Sequence, residues 1–343
     1  MKRRAAIAVI NRMKLITISR SFAVLVIAGA ATAHAQSGEP VSQYPSRPLR
    51  MIIPFAPGGA SDFIGRILQP KLSEVLGQQV VVDNRPGASG NIGVQVTADA
   101  PPDGYTFLLG NVSSMGINPN MFPNFPVRAL RDFTGLTLVV DVPGALGVHG
   151  GLPVGNLKEF IAHAKNQSGK LAYGSAGYGS AQRMAFEYFM LKSGIKLLHV
   201  PYKGGAGAST IAVLSGEVAA TMVTTASLVP HANSGKIKIL AVVSKQRVPA
   251  LPNIPTMIES GFPELDLGSW QGIFLPKGTP QPVVNKLFAV VKKVVHDPWV
   301  GAQYEKASAQ QITNASLEEF AQFMQEQNAF WAKIIKDVGI KTQ

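Results

Sequence analysis

Ile52-Ile53-Pro54-Phe55-Ala56-Pro57-Gly58-Gly59-Ala60-Ser61-Asp62 is the stretch from which the fold can be read. Residues 49–53 form a short apolar run that reads as a buried strand. Two prolines and two glycines stop it before an amphipathic segment begins at Phe63. The pattern is strand, tight loop, helix. Backbone N–H groups in a Gly-Gly turn at a helix start carry no side chain to block approach and sit at the positive end of the helix dipole, so the loop suits an anion. A turn with Asp62 or Ser61 capping the helix, and no ligand, is the competing reading.

Working outward, the N-terminus is set apart by charge. Residues 1–35 hold six basic residues and no acidic one, followed by an apolar run over 22–33 and the small-residue pattern Ala33-His34-Ala35. This predicts a secretory signal peptide over 1–35, because the apolar run is too short to span a bilayer comfortably. Setting those six cations aside reduces the formal charge from +12 to +6. The remaining excess is scattered, without basic runs or interleaved aromatics, which argues against a nucleic-acid partner. There are no cysteines, so disulfides, thiol catalysis and Cys-ligated metals are excluded. At 343 residues, 46% hydrophobic and 15% charged, the chain has the material for two domains with their own cores.

Strands then alternate with helices. Helices are expected over 63–76, with Phe63, Ile67, Leu68, Leu72, Val75 and Leu76 on the buried face, and over 91–98. Strands are expected over 79–82 and 105–109, and one over 139–148 leads out of the first domain. In the second half, residues 171–173 open into Gly174-Ser175-Ala176-Gly177-Tyr178-Gly179-Ser180 before a helix over 181–191, repeating the opening arrangement. Strands over 197–200, 218–223 and 237–243, a helix over 208–214, and a return strand over 267–275 follow. The last helix is marked by a capping box, Ser316 with Glu319, and by apolar residues at helical spacing up to Gly339. The whole is α/β, with mostly parallel sheets covered by helices on both faces, and in such sheets ligands sit beyond the carboxyl ends of the strands.

No catalytic constellation is present: there is no Gly-x-Ser-x-Gly, no His-Glu-x-x-His and no Gly-Lys-[Ser/Thr]. No cofactor or metal motif appears either, and His149, His163, His199, His231 and His296 lack ligand spacing. What remains is two glycine loops, one per domain, each at a helix start. Together they could clamp a carboxylate through backbone N–H groups and the Ser175 and Ser180 hydroxyls. An exported two-domain α/β protein with such a cleft is a solute receptor.

Tyr44-Pro45-Ser46-Arg47-Pro48, the 54–62 loop, Asp83-Asn84-Arg85-Pro86-Gly87, Pro102-Asp103-Gly104-Tyr105-Thr106, the 175–180 loop, His199-Val200-Pro201-Tyr202-Lys203-Gly204 and Ser269-Trp270-x-Gly272 together resemble the Bug-type, TctC-like receptors of tripartite tricarboxylate transporters. The resemblance implies a periplasmic, two-lobed Venus flytrap of type II-like build, acting as a single chain with a membrane permease as partner. Its ligand, a small carboxylate, would be held by Phe55, Ala56, Pro57, Gly58, Gly59 and Asp62 on one side. Ser175, Ala176, Gly177, Gly179 and Ser180 would hold it on the other, with Ser113 and Thr224 nearby. The lobes are expected to be 45–142 with 268–343, and 143–267. This chain departs from the family in carrying Arg183 where histidine is common, and Val223-Thr224 where an acid-amide pair often stands. Arg183 either reaches a second anionic group of the ligand or pairs with Glu187 one turn on. An exported sensor signalling to a membrane kinase, and a hydrolase or isomerase using Asp62 as base, are the alternative functions.

Overall fold

The computed structural model describes residues 42–202, 205–265 and 268–340, so the leader expected over 1–35 lies outside the described residues. Among them no helix is long and apolar enough to cross a membrane. The chain runs β1 (Leu49–Ile53), α1 (Ala60–Leu76), β2 (Val80–Asn84), α2 (Asn91–Ala98), β3 (Thr106–Asn111), α3 (Asn118–Met121), α4 (Ala129–Asp132) and β4 (Phe133–Val142). It continues through β5 (Gly144–His149), α5 (Leu157–Asn166), β6 (Ala172–Ser175), α6 (Ala181–Ser193), β7 (Leu198–Pro201), α7 (Gly205–Leu214), β8 (Ala220–Thr224), α8 (Thr225–Ala232) and β9 (Ile237–Val243). It ends with β10 (Ser269–Pro276), α9 (Gln281–Val295), α10 (Pro298–Lys306) and α11 (Leu317–Val338).

Two five-stranded sheets result, ordered β2-β1-β3-β10-β4 and β7-β6-β8-β5-β9. In the first, β1 pairs parallel with β2 and β3, while β10 is antiparallel to both β3 and β4. In the second, β6 pairs parallel with β7 and β8, while β5 is antiparallel to β8 and β9. Each sheet therefore has four strands in one direction and a single reversed one. The reversed strand is in each case the one that arrives from the other sheet, which is the two-lobed α/β architecture expected from the sequence. The single strand expected over 139–148 is corrected to two, β4 and β5, broken at Pro143. Proline has no N–H to give a ladder, so the chain leaves one sheet there and enters the next. The backbone N–H and hydroxyl of Thr225 both donate to the Pro143 carbonyl, at 2.9 and 3.2 Å, and pin the crossing.

Helix α1 begins three residues before the expected start, and the apolar residue facing inward in its first turn differs. Ile64, Ile67, Leu68, Leu72 and Leu76 are buried, whereas Phe63 is 46% exposed. At about 100° per residue, Ile64 takes the inward position that the sequence pattern assigns to Phe63. Helix α11 carries half of the expected capping box: Ser316 Oγ accepts the Glu319 N–H at 3.2 Å, but the Glu319 carboxylate accepts the Ala315 N–H rather than that of Ser316, and Gly339 ends the helix in the left-handed conformation. Its Phe320, Met324, Trp331 and Ile334 belong to a buried cluster that also contains Ile52 and Leu108 below the first sheet and Tyr173, Phe186 and Phe189 below the second. The two sheets thus share apolar packing at their junction. Helices α3, α4, α8 and α10, and a wide π-type turn over Val112–Ile117, are additions to the sequence reading.

Candidate functional site

The first glycine loop leaves β1 at its carboxyl end. Residues 56–60 are exposed, Phe55 is half-buried, and Gly58 adopts φ +81°, a conformation that favours glycine. Asp62, 4% exposed, organises the loop: one carboxylate oxygen accepts the Gly58 N–H at 2.9 Å and Arg66 Nε at 2.9 Å. Burial works against its ionisation, but the hydrogen bonds, led by that from Arg66 and then that from Gly58, hold its carboxyl below the usual carboxylate range. Asp62 is therefore a structural anion, and Gly58 spends its amide within the loop. No side chain caps α1 at Gly59. Its first-turn amides, which no helix satisfies internally, are left to solvent or a ligand. Neither Ser61 nor Asp62 is the N-cap; Ser61 Oγ instead accepts from Asn111 Nδ2 at 3.1 Å.

The second loop, after β6, is stiffened by its own hydroxyls. Ser175 Oγ accepts the Gly177 N–H at 3.1 Å and lies 2.6 Å from His199 Nε2. Ser180 Oγ donates to the Gly177 carbonyl at 2.8 Å and accepts the Arg183 N–H at 3.3 Å. The two hydroxyls expected to grip a ligand are thus turned onto the loop itself, as are the Gly177 and Ser180 N–H groups. Ala176 and Gly177 are half-buried, Gly179 is buried, and Gly177 has φ +116°. Thr224 is buried at the end of β8, where its hydroxyl lies 2.9 Å from that of Ser227.

One turn joins the two loops. A Cβ on Gly90 would stand 3.1 Å from the Phe55 ring, and on the other side a Cβ on Gly179 would come within 3.4 Å of Ser89 Cβ and 2.8 Å of Asn118 Oδ1. Asn118, 1% exposed, holds the turn by donating to the Ser89 carbonyl and to Asn91 Oδ1, both at 2.8 Å. Ser113 reaches across from the first lobe and accepts the Ala181 N–H at 3.1 Å, capping the start of α6. The structure therefore brings both loops and Ser113 to one locality. Arg183 takes the pairing position: Nε lies 3.4 Å from Glu187 Oε1.

Sequence reasoning missed Ser89, Asn118 and His199. Parallel pairing of β6 with β7 sets His199 opposite Tyr173, two residues before Ser175, a neighbour relation that spacing along the chain does not reveal. Burial, and then the nearby Arg183 charge, lower its pKa from 6.5 to about 4, so the ring is neutral and Nε2 can accept the Ser175 hydroxyl. Between pH 6.5 and 4 the unfolded chain binds the extra proton and the folded one resists it. Stability should therefore fall as pH drops through that window, this contribution being intact above it. Urea unfolding at pH 7 and 4.5 is expected to show the loss, and His199→Gln to flatten it; an unchanged pH slope in the variant would acquit His199.

A surface groove of about 460 Å³ lined by His149, Ile211, His231 and Lys236 lies where β5 ends and β9 begins, and contains none of the expected site residues. Among the described residues no group of three or more His, Cys, Asp or Glu is placed to hold a metal ion.

The family model described as the tripartite tricarboxylate transporter family receptor (TctC) matches residues 64–340. Protein BugT of Bordetella pertussis is 33% identical over 321 residues, covering 93% of this chain and 98% of BugT. The solved structure of the periplasmic binding protein BugD superposes with a TM-score of 0.80 at 35% identity, over 88% of this chain and all of BugD. That of R. palustris Rpa4515 with adipate gives 0.81 at 30% identity, over 87% of this chain and 99% of the other.

Proposed function

The chain belongs to the tripartite tricarboxylate transporter receptor family, and from that membership and the site's geometry we propose that it captures a small carboxylate between its lobes and delivers it to the membrane permease subunits of such a transporter. It is a periplasmic solute-binding receptor of the TctC type and not an enzyme. The ligand class is a di- or tricarboxylate or an aromatic acid, and the relative solved with adipate supports the dicarboxylate end of that range. The lobes are residues 45–142 with 268–343, and 143–267, hinged where the chain crosses at Pro143 and again just before β10. Export through the leader over 1–35 completes the reading.

One observation carries it: an α1 amino terminus without a side-chain cap, at an exposed glycine loop, one turn away from a second glycine loop on the other lobe. Charge-assisted hydrogen bonds to a carboxylate contribute about 1.5–3 kcal/mol each. Three or four such bonds supply about 4.5–12 kcal/mol before ordering costs, the scale of the roughly 8 kcal/mol that micromolar binding requires. A thermal-shift screen over mono-, di- and tricarboxylates and aromatic acids tests the proposal. A true ligand at about a hundred times its Kd adds roughly 2.7 kcal/mol of stability, and silence across the whole screen would count against carboxylate capture.

Asp62→Ala should reduce affinity for any acid found in that screen by about ten- to a hundredfold, because it releases the Gly58 amide and lets the loop relax. Titration calorimetry reads the effect, and an affinity equal to that of the parent chain would show that the loop's shape does not depend on Asp62.

A further inference from the structure

The surroundings of Arg183 say what it does. It is the third residue of α6, its side chain only 11% exposed. Nη1 donates to the Tyr178 carbonyl at the tip of the second loop at 3.3 Å, and the guanidinium lies 4.6 Å from the centre of the Tyr178 ring. Nε reaches Glu187 Oε1, and that same oxygen accepts the Tyr173 hydroxyl at 2.7 Å. Tyr173 is fully buried in β6, with its ring stacked 4.1 Å from Phe186. Its hydroxyl is held protonated far above the ordinary range, by burial and then by the Glu187 charge. A continuous path of polar bonds thus runs from the strand before the loop, through Glu187 and Arg183, to the loop's tip.

The direction of that path matters. Arg183 lies on the His199 side of the loop, close enough for its charge to act on that ring, whereas the first lobe meets the loop at Gly179 through Ser89 and Asn118. A ligand carboxylate approaching Arg183 would have to compete with Glu187, itself largely buried at 18% exposure and left with the Tyr173 hydroxyl if the pair parted.

We propose that Arg183 and Glu187 are positioning residues that fix the shape of the 175–180 loop, and that Arg183 makes no bond to the ligand, so that discrimination among carboxylates does not arise from its charge. This rests on the carboxylate-receptor reading above. It differs from a second anion subsite in what it requires of the two partners: both substitutions must act in the same direction, and equally on mono- and dianions.

The test uses the full mature chain with Arg183→Gln and Glu187→Gln. Amide hydrogen exchange without ligand is read at Gly177 and Ser180, whose N–H groups bond to Ser175 Oγ and the Gly177 carbonyl. Calorimetric affinities are measured for adipate, citrate and benzoate. Both variants are expected to speed exchange at these amides about tenfold or more, without a matching change at Gly58. Both should also weaken every acid that binds the parent chain by a similar factor, about tenfold. The proposal is overturned if exchange at Gly177 and Ser180 is unaltered, if Arg183→Gln weakens only the di- and tricarboxylates, or if Glu187→Gln strengthens them by freeing the guanidinium. A parent chain that binds none of the acids would count against the receptor reading, while the exchange arm would still decide the role of the pair.

Discussion

Gly179→Ala is expected to lower ligand affinity by about ten- to a hundredfold while leaving the thermal midpoint within a few degrees. The backbone at Gly179 is not in the left-handed region, so alanine fits the local conformation. The obstacle is its neighbour. A Cβ would stand 2.8 Å from Asn118 Oδ1, 3.3 Å from the Phe122 ring and 3.4 Å from Ser89 Cβ. Asn118 is buried and held by two 2.8 Å hydrogen bonds, so it cannot swing aside. The second loop must back away from the first lobe instead, and overpacking of this kind costs about 1–3 kcal/mol. That cost falls on closure rather than on either sheet, and reducing the binding-competent fraction raises the apparent Kd in proportion. Calorimetry with the best acid from the screen measures it; affinity preserved within a factor of two would mean that ligand capture does not need this contact.

Gln327→Leu is expected to produce the largest loss of stability among the substitutions considered. Gln327 Oε1 on α11 accepts from two indoles, Trp270 Nε1 at 2.8 Å and Trp331 Nε1 at 3.0 Å. Both rings are buried, at 4% and 1% exposure, and they flank Gly116 of the wide turn. Leucine has similar bulk but leaves two buried donors without a partner, at about 1–3 kcal/mol each, so a total of roughly 2–6 kcal/mol is expected. For a chain of this size that lowers the midpoint by about 3–8 °C. Gln327→Glu keeps an acceptor and should cost less. Denaturant titration of the two variants separates polar pairing from packing, and a leucine variant as stable as the parent would rule the polar bond out as a source of stability.

Much of the architecture was legible because local and global signals agree. The β-branched run of β9 and the short helix α2 were found at their observed limits, and the glycine loops were found because Gly and Pro punctuate strand ends. The crossing at Pro143 was hidden because the valines before it and the apolar residues of β5 after it read together as one strand. Helix α10 was missed although Asp297 caps it and Pro298 begins it, a start signal that the sequence does carry. At the site, loop positions could be read but not the direction of their hydroxyls. Ser175 is set by His199, 24 residues on, and the first amide of α6 is taken by Ser113, 68 residues back. Such pairings depend on which strands become neighbours, and spacing along the chain does not encode that.

The reversed strands impose an order of assembly. All five strands of the second sheet lie between residues 144 and 243, so that sheet can be completed while the remainder of the chain is still emerging. In the first sheet β10 lies between β3 and β4, which touch no other common strand, and it ends at residue 276. A chain delivered amino terminus first must therefore keep the exposed edges of β3 and β4 unpaired until most of its length has arrived. It is during that interval, rather than in the finished receptor, that the protein is most open to aggregation.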